Sequence, residues 1–233
     1  MIIFGDIGGC YNSLMKLIEK IPKGKDLLFL GDLNDRGPDS RKVIEWVMAN
    51  AKDCLHSNHG QMMTDYFLDA NLYEEGIWDQ NGGRHTIKNY KSETPTSFFH
   101  REKMWNESDG EYQLQKTYYD PILKEHIEWL NARLLIYEDD KIFVSHAPFH
   151  PYAENPYDIT NPRTMDYNLL WNRNPSLPRE DGKLSIWGHN GQYEKFHTEL
   201  GDLHGVCIDD SRNGNLCAYD TEEDKLYFQE IME

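Results

Sequence analysis

The chain has 233 residues, enough for one full hydrophobic core, with 39% apolar and 27% charged residues in the proportions of a soluble globular protein. Its 24 basic and 40 acidic residues give a formal charge of −16, which disfavours sequence-independent binding along a nucleic-acid groove. Phosphate substrates stay open to it, because a metal site supplies its own positive charge.

The apolar start Met1–Phe4 meets Gly5-Asp6 at once, too short for a signal peptide, and no apolar run approaches the ~18 residues of a spanning helix, so no membrane partner is expected. Ile2-Ile3-Phe4 reads as a buried strand. Tyr11 to Ile21 places Leu14, Leu17, Ile18 and Ile21 at helical spacing, and Leu27 to Leu30 is a second strand. Pro38 is expected to open a helix whose apolar face carries Val43, Ile44, Trp46 and Val47. A strand over Asp53 to Ser57 leads to a helix through Met62, Met63, Tyr66, Phe67 and Leu68. This βαβαβ order predicts parallel strands with helical crossovers.

Residues 72–120 are polar, with Gly82-Gly83 and Pro95, and predict an irregular insertion within one domain spanning 1–233. Ile122 to Leu130 is helical, with Leu123, Ile127 and Leu130 spaced for burial. Strands follow at Leu134–Tyr137, Lys141–Ser145, Leu184–Trp187, Gly205–Ile208, Leu216–Tyr219 and Leu226–Phe228. Several are joined by Asp or Asn-Gly turns, which suits antiparallel hairpins. The expected fold is α/β, two packed mixed β-sheets flanked by helices. Cys10, Cys54, Cys207 and Cys217 lack CxxC spacing and sit in or beside apolar stretches, as reduced, buried thiols of a cytoplasmic protein do; a Cys207–Cys217 bridge is the alternative.

Five polar clusters fall just after predicted strands, where α/β folds place their sites. They are Gly5-Asp6, Gly31-Asp32 through Asp35-Arg36-Gly37, Asn58-His59, Ser145-His146 and Gly188-His189. One Gly-Asp after a strand is usually a turn, but five such clusters in series are hard to ascribe to turns. Carboxylates, imidazoles and one amide oxygen suit Mn²⁺, Fe or Zn²⁺ better than Mg²⁺ alone.

As an ordered set, Gly5-Asp6-Ile7-Gly8-Gly9, Gly31-Asp32-Leu33-Asn34-Asp35-Arg36-Gly37, Asn58-His59, His146 and Gly188-His189 resemble the phosphoprotein-phosphatase branch of the calcineurin-like metallophosphoesterases. Asn58 to Met63, Asn81-Gly82-Gly83 and Trp171-Asn172-Arg173 also look like the small bacterial and phage enzymes of that branch. The resemblance implies two divalent ions, with manganese the expected metal. Asp6 would bind the first and Asp32 would bridge both, while Asn58, His146 and His189 complete the second. It further implies that Asp35 and His59 form an acid dyad that protonates the leaving oxygen, and that Arg36 and Arg173 grip the phosphoryl oxygens. The implied reaction is hydrolysis of a phosphomonoester, with a phosphoprotein or a small phosphoester as substrate, by direct attack of a metal-bound hydroxide. Dinucleoside-polyphosphate hydrolysis and a degraded, phospho-binding copy are the alternatives.

Two positions depart from the family pattern. Gly8 stands where it has a His, which removes one ligand of the first metal and predicts a weak first site. Gly8→His would restore the ligand unless the loop needs a glycine conformation there. Gly60 stands where it has a Glu that helps hold the Arg of Asp-Arg-Gly. Outside the set, His56, His100, His126, His150, His197 and His204 read as packing or surface residues, and His85 as a candidate neighbour of the pocket. Phe98, Phe99 and Trp105 read as local packing, and Glu222-Glu223-Asp224 as a solvated hairpin turn.

Overall fold

Strand β1 (Ile2–Phe4) divides its side chains between two apolar layers, as the period-2 geometry of a strand requires. Ile2 and Phe4 pack under the helices, with the Phe4 and Phe29 rings stacked at 4.4 Å, while Ile3 joins Leu28, Leu30 and Leu55 on the other face. The computed structural model describes residues 1–68, 72–93, 99–106, 111–150, 153–160, 168–174 and 177–233, with the backbone alone at 72–75, 92–93, 99–106 and 111–119.

Strands β2 (Leu27–Phe29) and β3 (Asp53–Cys54) run parallel to β1, in register Ile2↔Leu27 and Leu28↔Asp53. Helices α1 (Tyr11–Lys20) and α2 (Ser40–Asn50) make the crossovers, as the βαβαβ pattern predicts. Pro38 does not open α2. Asp39 takes the N-cap, and the helix begins at Ser40. Helix α3 (Asn58–Leu68) starts earlier than its apolar residues suggest, because the Ser57 hydroxyl accepts the Gly60 N–H at 3.1 Å and caps the first turn.

The region expected to be irregular is organised. It contains α4 (Leu72–Gln80), α5 (Gly83–Glu93) and an antiparallel pair, β4 (Phe99–Asn106) with β5 (Glu111–Tyr119). Few apolar side chains mark these helices, yet Trp78 of α4 and Tyr90 of α5 are fully buried. Asp120 then caps α6 (Pro121–Asn131), accepting the N–H groups of Ile122 at 3.0 Å and Leu123 at 3.2 Å.

The second sheet holds β6 (Ile136–Glu138), β7 (Ile142–Ser145), β8 (Leu184–Trp187), β9 (Glu194–His197) and β10 (Leu203–Cys207), in the order β6-β7-β8-β10-β9. The pair β6–β7, joined by an Asp turn, is an antiparallel hairpin as expected, but β7, β8 and β10 run parallel to one another, with β9 antiparallel at the far edge. A parallel pair needs a long crossover, which residues 146–183 supply between β7 and β8. Strand β9 carries no apolar alternation, because an edge strand half in solvent has little to bury. Strands β11 (Asn215–Asp220) and β12 (Lys225–Glu230) complete the first sheet as β12-β11-β1-β2-β3.

Ile142, Val144, Ile186 and Val206 of the second sheet meet Ile3, Leu28, Leu30 and Leu55 of the first. Each such burial contributes about 1.5–3 kcal/mol of transfer free energy, which fixes the two sheets face to face. The expected sandwich of two packed mixed sheets with outer helices is the observed one, each sheet having five strands. All four cysteines are buried and unpaired, and Glu222 at the β11–β12 turn is largely exposed. Among the described residues no helix is long and apolar enough to cross a membrane.

Candidate metal centre and acid dyad

Every candidate ligand follows a parallel strand: Asp6 after β1, Asp32 after β2, Asn58 after β3, His146 after β7 and His189 after β8. One edge of the sandwich therefore gathers side chains from both sheets. Among the described residues Asp32, His146 and His189 form a group whose ligand atoms lie within 4.8 Å of one another, all buried. His146 Nδ1 lies 2.9 Å from the Leu30 carbonyl, which turns Nε2 inward, 2.8 Å from Asn58 Oδ1 and 3.5 Å from Asp32 Oδ1. Asp6 stands just outside this group. Its Oδ1 accepts the His189 N–H at 3.2 Å, and Gly188 keeps that approach open, since a Cβ there would lie 2.5 Å from the same oxygen.

This donor set fits a divalent cation. His189 Nε2 is buried with no hydrogen-bond partner, an arrangement that normally costs about 1–3 kcal/mol. Burial holds both His146 and His189 below the usual histidine range, so each offers a neutral ring nitrogen, the form that binds metal. Burial alone would raise the Asp32 carboxyl, but its histidine neighbours, the His59 imidazolium foremost, hold it below the ordinary carboxylate range. Asp32, Asp35 and His189 also have positive φ, of 43°, 85° and 64°. Such conformations cost about 1–3 kcal/mol each and persist where surrounding contacts enforce them.

Beside this group His59 Nδ1 and Asp35 Oδ2 are 2.6 Å apart, with His59 Nε2 turned to the cavity, 3.8 Å from Asp32 Oδ2. Burial disfavours the imidazolium, yet Asp32 and Asp35 together raise the His59 pKa. Asp35 is itself held on both oxygens. Trp78 Nε1 donates to Oδ2 at 2.7 Å and the Thr86 hydroxyl to Oδ1 at 2.6 Å. Both donors come from α4 and α5, the stretch in which sequence reasoning placed no structure. The Asn81-Gly82-Gly83 turn between them explains itself sterically. A Cβ on Gly82 would lie 2.4 Å from the Asp35 carbonyl, and one on Gly83 2.4 Å from the Trp78 ring.

The arginines border a cavity of about 440 Å³ that Asp6, Asp32, Asn58, His59 and His189 also line. Arg36 Nη2 lies 3.5 Å from His59 Nε2, and Arg173 Nη1 donates to the His189 carbonyl at 2.9 Å. Gly60 lies in the first turn of α3, and no carboxylate among the described residues pairs with Arg36. Gly8 has φ +59°; its N–H donates to the Asp32 carbonyl at 2.7 Å and its carbonyl accepts the Arg36 N–H at 3.0 Å. A Cβ at Gly8 would meet Arg36 Cβ and Cγ at 3.0 Å, so this loop needs the glycine. The condition attached to Gly8→His, a loop free of a glycine conformation, is therefore not met.

Sequence reasoning missed Asp209, buried at the end of β10, although the signal was the same acid after a strand. Its carboxylate accepts the N–H groups of Gly191 and of Ser211, the latter at 3.0 Å. It also faces Asp6, whose pKa is raised by burial, then by Asp209 and Asp32. Two of the remaining histidines, His56 and His126, are buried and bonded away from the cavity. His56 Nδ1 lies 3.2 Å from the Leu130 carbonyl with its pKa pushed by burial to about 4, and His126 bonds the Tyr90 hydroxyl. His85 is exposed on α5. Phe98 and the side chains of Phe99, His100 and Trp105 lie outside the described residues.

Residues 1–193 match the calcineurin-like phosphoesterase family. An asymmetrical bis(5'-nucleosyl)-tetraphosphatase, PrpE, of Halalkalibacterium halodurans is 46% identical over a stretch covering 28% of this chain and 33% of the relative. Serine/threonine-protein phosphatase 1 of Salmonella typhimurium is 35% identical, covering 35% of this chain and 38% of the relative. The match thus spans about a third of the length of these curated relatives. The solved metallophosphoesterase of Sphaerobacter thermophilus shares the fold, with a TM-score of 0.55 at 13% identity, covering 100% of this chain and 89% of that one. With its ordered strand-end residues converging on one cavity, the chain belongs to the calcineurin-like phosphoesterase family.

Proposed function

We propose that this chain is a metal-dependent hydrolase of phosphate monoesters, phosphoserine and phosphothreonine side chains among them. The observation that carries the reading is the His59–Asp35 pair at 2.6 Å, beside a cavity that His59 lines together with Asp32 and His189 of the buried Asp32, His146 and His189 group. A serine or threonine alkoxide is a poor leaving group and needs a proton as it departs. An imidazole kept charged by a buried, doubly anchored carboxylate is suited to give it.

Asp6 and Asp32 would hold one divalent ion, and Asp32, Asn58, His146 and His189 a second, with Mn²⁺ the expected metal and Fe or Zn²⁺ compatible with the nitrogen ligands. Ions bound there would lower the pKa of water towards ~7 and neutralise phosphoryl charge. Arg36 and Arg173 would orient the phosphoryl oxygens through charge-assisted hydrogen bonds. We read residues 1–193 and the C-terminal hairpin as one domain, and the unpaired, buried cysteines as suited to the reducing cytoplasm. Dinucleoside-polyphosphate hydrolysis is the second reading. It is favoured by the relatives named as bis(5'-nucleosyl)-tetraphosphatases and by a third arginine at the cavity, Arg212.

The test compares wild type and His59→Asn, Mn²⁺-supplemented, on p-nitrophenyl phosphate and a phosphoserine peptide. The variant should keep its metal and lose ~10²–10⁴ in kcat on the peptide, the range for a general acid, with a smaller loss on the aryl ester. Equal losses would remove His59 from the acid role. No turnover by the metal-replete wild type would favour a phospho-binding copy.

A further inference from the structure

Arg212 lies on the short 3-10 turn Ser211–Asn213 and lines the same cavity as His59, Arg36 and Arg173. Its N–H donates to the Gly191 carbonyl at 3.0 Å. Gly191, at φ +77°, lies flat beneath its side chain: a Cβ there would come within 2.6 Å of Arg212 Cγ and 2.7 Å of Nε. The glycine is thus what lets the arginine stem cross the loop that presents His189.

Arg212 has no carboxylate partner among the described residues, and the two acids beside it are engaged. Asp209 accepts the Gly191 and Ser211 N–H groups. Asp210 accepts Tyr193 N–H at 3.3 Å and the side-chain amides of Asn213 at 2.6 Å and Asn215 at 2.8 Å. Arg173 borders the same cavity, and after burial it is the Arg212 charge that holds the Arg173 guanidinium below its usual range. Three guanidiniums therefore border a cavity well within the ~300–1,000 Å³ of small-ligand sites. One phosphoryl group, bound by Arg36, Arg173 and the metal centre, leaves the third cation without an anion.

We infer that Arg212 forms a subsite for a second phosphoryl group joined to the one cleaved, making it a specificity-determining residue for polyphosphate chains over monoesters. This rests on the reading of the cavity as a phosphoester hydrolase site. In the reaction water adds to phosphorus and releases one proton, and the bond from phosphorus to the bridging oxygen breaks. The bridging oxygen keeps the electron pair and takes a proton from His59, while Arg212 holds an oxygen of the neighbouring phosphoryl.

The experiment uses the Mn²⁺-loaded full chain, wild type, Arg212→Gln and Arg212→Lys, each checked by its melting curve. It reads kcat/KM on p-nitrophenyl phosphate and inorganic tripolyphosphate, and tripolyphosphate affinity by calorimetry. Arg212→Gln should lower kcat/KM roughly 10–100-fold more on tripolyphosphate than on the monoester, the effect of one charge-assisted hydrogen bond, with Arg212→Lys recovering part of it. Equal effects on both substrates would overturn the inference while leaving the hydrolase reading intact. If the metal-replete wild type hydrolyses neither compound, the hydrolase reading falls. Calorimetry then decides the subsite: weaker tripolyphosphate binding in Arg212→Gln upholds it, and unchanged affinity overturns it.

Discussion

Gly8 invites replacement by the His that the family resemblance implies at this position, and the backbone argues that the replacement fails. At φ +59° an L-residue costs about 1–2 kcal/mol through Cβ crowding. A Cβ there would also press Arg36 Cβ and Cγ at 3.0 Å, in a loop tied to Asp32 and Arg36 through both backbone groups of Gly8. Overpacking of this kind adds about 1–3 kcal/mol. Gly24 separates the two contributions, because it has φ +79° and a Cβ added to it would meet nothing within 4 Å. For a chain of this length each kcal/mol moves Tm by about 2–4 °C, so Gly24→Ala should lower Tm by roughly 2–8 °C and Gly8→Ala by about twice as much. Differential scanning calorimetry with and without Mn²⁺ measures both. Gly8→Ala should also raise KM for p-nitrophenyl phosphate by displacing Arg36, and Gly8→His should leave the half-saturating Mn²⁺ concentration no lower than in wild type. A Gly8→His protein that melts like wild type and needs less Mn²⁺ would refute the steric argument.

His189→Ala removes a neutral imidazole whose Nε2 is buried without a protein partner, so the desalted variant should lose most of its metal by elemental analysis; near-wild-type content would show that His189 is no ligand. For Asp35→Asn the sign follows from the His59 environment. Burial lowers the His59 pKa, Asp32 and Asp35 outweigh burial, and the net shift is upward. Activity that requires the imidazolium is therefore kept at low and neutral pH and lost as pH rises through the raised value. Removing the Asp35 charge should move this falling limb of kcat to lower pH, and an unmoved limb would assign it to another group.

The strand-end rule makes most of the site legible, because Asp6, Asp32, Asn58, His146 and His189 each follow a stretch that becomes a strand with a parallel neighbour. The rule also covers Asp209, but Gly205 to Ile208 reads as a hairpin strand, and a hairpin end carries no expectation of a site. Trp78 and Thr86 are out of reach for another reason. They serve the site through Asp35 from helices α4 and α5, whose apolar residues are too sparse to show a period. Positive φ at Asp32, Asp35 and His189 is likewise invisible, since only glycine announces that conformation in sequence.

The origin of the candidate ligands suggests why strain collects at this edge. Asp6, Asp32 and Asn58 follow strands of one sheet, while His146 and His189 follow strands of the other. On the proposed ligand set, a bound cation therefore ties the two sheets together at the end where the apolar layer of Ile3, Leu30, Val144 and Ile186 gives way to polar residues. Without a cation that end holds the mutually repelling Asp6, Asp32 and Asp209 carboxylates, which is why the Asp6 carboxyl is driven so far up after burial. With one, the same carboxylates become attractive, and the fold gains RT ln(1 + [M]/Kd) of stability because the unfolded chain cannot gather ligands from both sheets. Positive φ at three site residues, about 1–3 kcal/mol each, is tolerable under that linkage, since the metal that needs the geometry also stabilises it.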